Sequence, residues 1–351
     1  NDYANGLQKL NRNEEAIKFY KHAIERDPKI YTAHVNLAYL ELASHNYSSG
    51  WQLYESRWKV QDLKLIPLVT KKPKLENFEV KNKKILIWGE QGIGDDIIHS
   101  TILPDALKTD NEFIVVLDSR LLDLYKASFK DFKNVVFLDS ADNEDLYDYH
   151  LPFASLGQFF RNSKQDFLNQ KIPLLEADKA YTKTLRNRIN SGNKHICGIS
   201  WMSKNPKIGD SKSMRLEDFK SIFSLPGIDF VDLQYGDTKK EKKELKDNFG
   251  FELIEMTDID NFNDIGKLAS LINACDFVVT TSNVTAHLAG ALNKKTYQIL
   301  SYTEGRLWYW GINENSSLWY PSIRLLRADN LKDWKTPIKN LVDSLSQEIK
   351  L

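Results

Sequence analysis

Cysteine is nearly absent from this chain: two occur in 351 residues, Cys197 and Cys275. Both lie in apolar, strand-like runs, so they read as buried free thiols of a reducing compartment rather than a disulfide framework. Net charge is absent too, with 48 Lys and Arg against 48 Asp and Glu. A nucleic-acid footprint needs a basic excess, so no nucleic-acid partner is expected. No apolar run approaches the length of a membrane span, and no signal peptide is visible. These absences point to a cytoplasmic protein. The seven His are scattered and no CxxC occurs, so no metal is expected. A GxSxG elbow and a Walker lysine are missing as well, which removes the hydrolase and kinase classes.

What is present divides the chain. Residues 1–62 read as helical and repetitive. A 34-residue shift pairs Ala4 with Ala38, Ala16 with Gly50 and Tyr20 with Tyr54, and Asp27-Pro28 closes a helix. That is the tetratricopeptide period. About one and a half repeats are too few to stand alone. They are expected to stack on the next domain or on residues upstream, since the chain starts without Met and inside a repeat. Residues 63–83 carry Pro67, Pro73 and several Lys, and read as a solvated linker.

From Lys84 strand and helix alternate. Strands are expected at Ile85–Trp88, Phe113–Leu117, Val135–Leu138, Ile196–Trp201, Phe230–Gln234, Phe251–Glu255, Phe277–Thr280 and Tyr297–Leu300. Strands apolar throughout and separated by helices argue parallel sheets covered on both faces. The expected fold class is α/β, with two Rossmann-like domains at 84–180 and 181–330 facing a cleft, and a helix over 331–351. Ligands of such sheets sit at the carboxyl ends of the strands.

The stretch Lys84–Pro104 is the most informative. A buried strand runs into a turn with Gly89, Gly92 and Gly94, then a helix with Asp95 and Asp96 at its start. Glycines let the backbone approach a ligand, and a carboxylate there can act as a base. Asp118 lies where a dinucleotide-binding acid would fall, but the spacing is GxxGxG, not GxGxxG. A second motif, Asp276–Leu292, ends a strand in Thr280-Thr281-Ser282-Asn283 and opens a helix near Thr285, with His287 in its first turn. Hydroxyls, amides and N–H groups there make an anion site; alternatively Ser282 or Asn283 caps the helix and His287 is packed. A third, Gly198–Ser213, places Lys204, Lys207 and Lys212 after a strand, as a phosphate-neutralising or merely solvated loop. Trp308, Tyr309, Trp310, Trp319 and Tyr320 form an aromatic cluster, more often core than sugar platform, with Trp308 or Trp310 as the candidate at the cleft.

GxGD at Gly92–Asp95, followed by His99 and Pro104, resembles the opening loop of the heptosyltransferase-like glycosyltransferases (family nine type, GT-B fold). TSNVTAHLAGAL resembles their donor-binding turn. The close with Trp308, Trp310, Trp319-Tyr320-Pro321 and Arg324 resembles bacterial proteins that fuse tetratricopeptide repeats to such a domain. The resemblance implies a nucleotide-sugar donor, no metal or other cofactor, and a protein or glycan acceptor docked by the repeats. It implies that Asp95 is the base, with Gly92, Gly94, Asp96, His99 and Trp308 in the acceptor loop and cleft. Donor contacts would come from Ser200, Lys204, Lys207, Gln234, Ser282, Asn283, Thr285 and His287. The last helix would return to the first Rossmann domain. Heptosyltransferases carry Asp-Thr-Gly where this chain has Ser282-Asn283-Val284, which favours a UDP- or GDP-linked hexose over ADP-heptose. The resulting expectation is a metal-independent, inverting glycosyltransferase. The alternative is an inactive scaffold that keeps the fold and binds partners through its repeats.

Overall fold

A computed structural model describes residues 1–189, 192–303, 305–331 and 333–348. The chain forms two compact units. The first is Asn1–Lys171 with Leu307–Glu314; the second is Ile172–Arg306 with Asn315–Leu351.

The first unit opens with four helices, α1 (Asp2–Lys9), α2 (Asn13–Arg26), α3 (Tyr31–Ala43) and α4 (Tyr47–Tyr54), each packed on the next. In α2, Glu14 and Glu15 complement the positive end of the helix and Arg26 the negative end. Pro28 stands just past its end, where a helix cannot continue. Ala4, Leu7, Ala16, Tyr20, Ala33, Leu37 and Leu40 form the core of this helical segment. The residues paired by the 34-residue shift play equivalent parts: Ala4 and Ala38 are buried, as are Tyr20 and Tyr54. At Gly50 an added Cβ would lie 2.7 Å from Leu42 Cγ, which explains the small residue.

The same unit holds a four-stranded parallel sheet, β1 (Lys84–Trp88), β2 (Glu112–Val116), β3 (Val135–Leu138) and β4 (Tyr149–Pro152), in the order β3-β2-β1-β4. Ile85, Leu86 and Ile87 are fully buried, as a central parallel strand covered on both faces requires. Strand β4 was not expected: its YHLP is too polar and too short to register as a buried run. The expected linker is partly structural. Leu75 is buried, and its N–H donates to the His150 carbonyl at 2.9 Å, laying Pro73–Leu75 along β4. Helix α5 (Ile93–His99) follows β1.

Trp51 ties the helices to this sheet. Its indole N–H donates to the Arg161 carbonyl at 2.7 Å, and its ring lies on Gly157, where a Cβ would fall 2.3 Å from Trp51 Cζ2. Gly157→Ala must displace a buried indole. We expect a loss of about 1–3 kcal/mol in stability, read by denaturant unfolding. An unchanged midpoint would mean that the contact relaxes freely.

The second unit holds a five-stranded parallel sheet: β5 (His195–Ser200), β6 (Ile228–Asp232), β7 (Phe277–Thr280), β8 (Thr296–Leu300) and β9 (Ile323–Arg327), in the order β6-β5-β7-β8-β9. Its main helices are α6 (Lys179–Ile189), α7 (Lys239–Phe249), α8 (Ile265–Ala274), α9 (Val284–Ala291) and α10 (Lys335–Glu348).

Three expectations are corrected here. Phe251–Glu255 is not a strand. Only Ile254 bridges to β6, donating to the Phe230 carbonyl at 2.7 Å and accepting from the Asp232 N–H at 2.9 Å. The fifth strand is instead β9, which pairs with β8 at the opposite edge and whose IRLLR run was overlooked. The last helix does not use its apolar face on the first sheet: Ile338, Leu341 and Leu345 lie in the second unit's core with Ile199, Val279, Ile299 and Leu326. Ile349, the expected end of that helix, lies outside the described residues. Finally, Leu307–Glu314 belongs with the first unit rather than with residues 181–330. Trp308 packs on Trp51 and Tyr54, and Glu314 pairs with His45, which explains the assignment. No helix among the described residues is long and apolar enough to cross a membrane.

Candidate functional site

In the first sheet the strand order reverses between β1 and β4, and a crevice at such a switch point is where open α/β sheets take ligands. The glycine loop leaves β1 at this place. Gly89 N–H donates to the Val116 carbonyl at 3.3 Å. Asp96 is buried against Gly89: a Cβ there would lie 2.5 Å from Asp96 Oδ1, so only glycine admits the carboxylate. Burial, then the neighbouring Asp95, pushes the Asp96 carboxyl well up. Asp95 is the half-buried one of the two, and its Oδ2 accepts from Gly92 N–H at 3.3 Å. Gly94 is half-buried beside it. Of the two adjacent acids, Asp95 is therefore the more accessible.

His99 is buried, with its ring stacked on Trp308 at 6.4 Å between centroids. Burial, with Arg57 adding to it, lowers its imidazolium to about 3, so it stays neutral at ordinary pH. Trp308 is half-buried and packs edge-on against Trp51 at 5.4 Å. Asp118 is held by Arg120, whose Nε and Nη2 donate to it at 2.8 and 2.7 Å, so its carboxylate is engaged in an ion pair rather than presented to a ribose.

A cluster around Arg57 escaped the sequence reading. Arg57 is 1% exposed. It donates to both Glu90 carboxylate oxygens, at 2.8 and 2.9 Å, to Glu55 at 2.7 Å and to Ser155 Oγ at 2.9 Å. Its guanidinium lies over the rings of Tyr54 and Trp58. Tyr54 OH accepts from the Gln91 amide at 3.1 Å, and its ring contacts Tyr39. Burial pushes the Tyr39 phenol up to about 12; Arg57 opposes this, and Asp95 and Glu90 add to it. A lone Arg and lone tyrosines in an amphipathic repeat carry no signal that a distant loop is their partner.

The second sheet has its own switch point between β5 and β7. Here Ser200, Gln234 and Asn283 come together. Gln234 Oε1 accepts from Ser200 Oγ and from the Trp201 and Met202 N–H groups at 2.8–3.1 Å, and its Nε2 donates to two carbonyls. Asn283 donates to Ser200 Oγ at 2.8 Å and to the Met202 carbonyl, and its Oδ1 caps α9 by accepting from Ala286 N–H at 3.3 Å. These three side chains tie the strand ends together; Asn283 is the cap that the sequence left open as an alternative.

Other candidates are dispersed. His287 is buried, with Nδ1 3.3 Å from Tyr320 OH. Gly290 makes room for that ring, since a Cβ would lie 2.3 Å from Tyr320 Cγ. Lys204 and Lys207 are exposed on the loop after β5. The Lys204 stem runs over Gly236, whose φ of +88° favours glycine. Lys207 N–H closes a turn on Asn205. Ser282 and Thr285 are buried at the start of α9. Thr285 Oγ1 and the neighbouring Thr281 Oγ1, which was not singled out, have no hydrogen-bond partner among the described residues. Two orphaned hydroxyls beside a helix N-terminus are suited to an oxyanion. Among the described residues no three His, Cys, Asp or Glu gather as metal ligands.

The fold recurs in known proteins. The chain shares its fold with a family 9 glycosyl transferase of Veillonella parvula, at 13% identity over 78% of this chain and 99% of that one, with a TM-score of 0.50. It is equally similar to the ADP-heptose lps heptosyltransferase II of E. coli: 14% identity, 76% of this chain, 99% of that chain, TM-score 0.51. The fold is thus that of the GT-B-like glycosyltransferases. In sequence the chain resembles the protein FlbA of Caulobacter vibrioides, 25% identical over 334 residues, covering 87% of this chain. The chain spans about half the length of that relative, 53%. No protein-family model matches.

Proposed function

We propose that the protein is a metal-independent, inverting glycosyltransferase that moves a sugar from a nucleotide-sugar to a hydroxyl of a protein or glycan acceptor in the cytoplasm. The observation that carries this is Asp95: a half-buried carboxylate on a glycine loop at the switch point of a parallel sheet, in a fold shared with sugar transferases. In the reaction Asp95 accepts the acceptor's hydroxyl proton as that oxygen attacks the anomeric carbon. The bond from that carbon to the diphosphate oxygen breaks, and the nucleoside diphosphate leaves with the electron pair. Charge on the leaving group is met by N–H groups of α9, the Thr281 and Thr285 hydroxyls, and Lys204 or Lys207. Ser282, in place of the acid carried by heptosyltransferases, favours a UDP- or GDP-linked hexose. The N-terminal helices, read as tetratricopeptide repeats, hold the acceptor.

The test is thermal stabilisation by UDP, GDP, ADP and CDP, each with magnesium and with a chelator. One nucleotide should raise the melting temperature equally in both conditions; at a hundredfold excess over its Kd the gain is about 2.7 kcal/mol. No shift with any of the four would overturn the transferase reading. A shift only with magnesium would overturn its metal independence.

A further inference from the structure

The crevice at the switch point of the first sheet is filled by the protein itself. Glu90 leaves the carboxyl end of β1, and Ser155 follows β4, the strand across the crevice. Arg57, from the end of the helical segment, reaches between them. It grips Glu90 through two hydrogen bonds and Ser155 through a third. Glu55 completes the group, accepting from Arg57 and from Ser155 Oγ at 2.6 Å. The Glu90 side chain is 2% exposed. One residue further on, Gln91 is held by Tyr54 OH. Two consecutive residues of the glycine loop are thus fixed by side chains some thirty residues upstream, and Asp95 lies four residues beyond the second.

We infer that the helical segment is a working part of the acceptor site, with Arg57 and Tyr54 as positioning residues that hold the Gly89–Gly94 loop and thereby aim Asp95. Between Ile87 and Ile97 the loop has three glycines; besides the two grips, its anchors include the Gly89 hydrogen bond to Val116, the Asp95 cap on Gly92, the Gly92 carbonyl accepting from the Asp95 and Asp96 N–H groups, and the buried Asp96 side chain. Without the two side-chain grips its backbone has many conformations to choose from. Misplacing a catalytic group by about 1 Å costs roughly a hundredfold in rate. A Rossmann-like crevice that elsewhere takes a ligand here takes an arginine, and so becomes a rigid mount for the loop. The inference rests on the assignment of Asp95 as the base.

Two mild variants test it in the full chain. Glu90→Gln keeps shape and leaves Arg57 balanced by Glu55; Tyr54→Phe removes only the hydroxyl that holds Gln91. Hydrogen exchange of the Gly89–Asp95 amides should speed up at least tenfold in each, while the β5–β9 amides keep wild-type rates. Nucleoside diphosphate release from a nucleotide-sugar should fall at least tenfold in kcat, with the donor KM within twofold. A merely structural role would spread faster exchange over the unit and would not separate kcat from KM. Unchanged loop exchange in both variants overturns the inference, as does faster loop exchange with unchanged kcat. If wild-type protein turns over no nucleotide-sugar, the transferase reading fails, and the exchange result alone decides whether the grips hold the loop.

Discussion

Asp95→Asn should reduce sugar transfer by about 10²- to 10⁴-fold, the usual contribution of a positioned general base. The amide keeps the size of the carboxylate and can still accept from Gly92 N–H, so the start of α5 is preserved. What it loses is the ability to take a proton from the attacking hydroxyl. The residues proposed to bind the nucleotide belong to the second unit, so binding of the nucleoside diphosphate should change less than twofold. The comparison that matters is Asp96→Asn. Asp96 is buried against Gly89, and burial and the neighbouring Asp95 push its carboxyl well up. An amide keeps its shape in that buried place, and Asp96→Asn should retain most of the transfer. Equal losses in the two variants would show that the loop, not the Asp95 carboxylate, governs turnover. Full activity of Asp95→Asn would remove it from the mechanism.

How much of this was written in the sequence depends on whether a signal is local. The glycine loop with Asp95 and Asp96 was legible because strand, turn and helix follow one another within about fifteen residues, and each has its own composition. The parallel sheets were legible because central strands such as Ile85–Ile87 are apolar on both faces. Strand β4 was not, because Tyr149–Pro152 carries His and Pro and draws its strand character from pairing with β1. The Phe251–Glu255 run was expected as a strand, yet the sheet offers it a single bridging position. Among site residues, Ser200, Gln234 and Asn283, expected as donor contacts, lie at strand ends, and their hydrogen bonds run to one another and to the backbone. Residue type and position do not reveal how many of a side chain's hydrogen bonds the protein itself uses. Arg57 is the extreme case: its partners are two and thirty-three residues away, and nothing in an amphipathic helix end announces the longer link.

Arg57→Met should be the most destabilising single change in the first unit, at about 3–5 kcal/mol. Arg57 is 1% exposed, and its loss leaves the Glu90 side chain, 2% exposed, without its paired cation, while the half-buried Glu55 keeps Lys74. The methionine fills part of the volume and still packs on Tyr54 and Trp58, so the penalty is chiefly that of the uncompensated Glu90 carboxylate. This gives the effect a pH dependence with a definite sign. In the wild type, burial raises Glu55, but Arg57 and Lys74 together overcome it and hold the carboxyl at about 2. A carboxyl depressed in the folded state contributes stability above its unfolded value, near 4.5, and loses it as the pH falls towards 2. Glu90 is raised by burial already in the wild type, with Arg57 opposing; in Arg57→Met it loses that opposition and rises further, while Glu55 loses Arg57 but keeps Lys74. The added Glu90 penalty is then full at pH 8 and is relieved by protonation as the pH falls through its raised value. The gap between wild type and variant should therefore narrow from pH 8 to pH 4.5, in unfolding midpoints measured by tryptophan fluorescence. Glu90→Gln, which leaves the Arg57–Glu55 pair intact, should show a smaller loss and a flatter profile. A gap that stays constant with pH would mean that the Arg57→Met loss comes from packing over the two rings rather than from charge, and Arg57→Lys, which keeps the charge but not the planar fork, would then fare no better than Met.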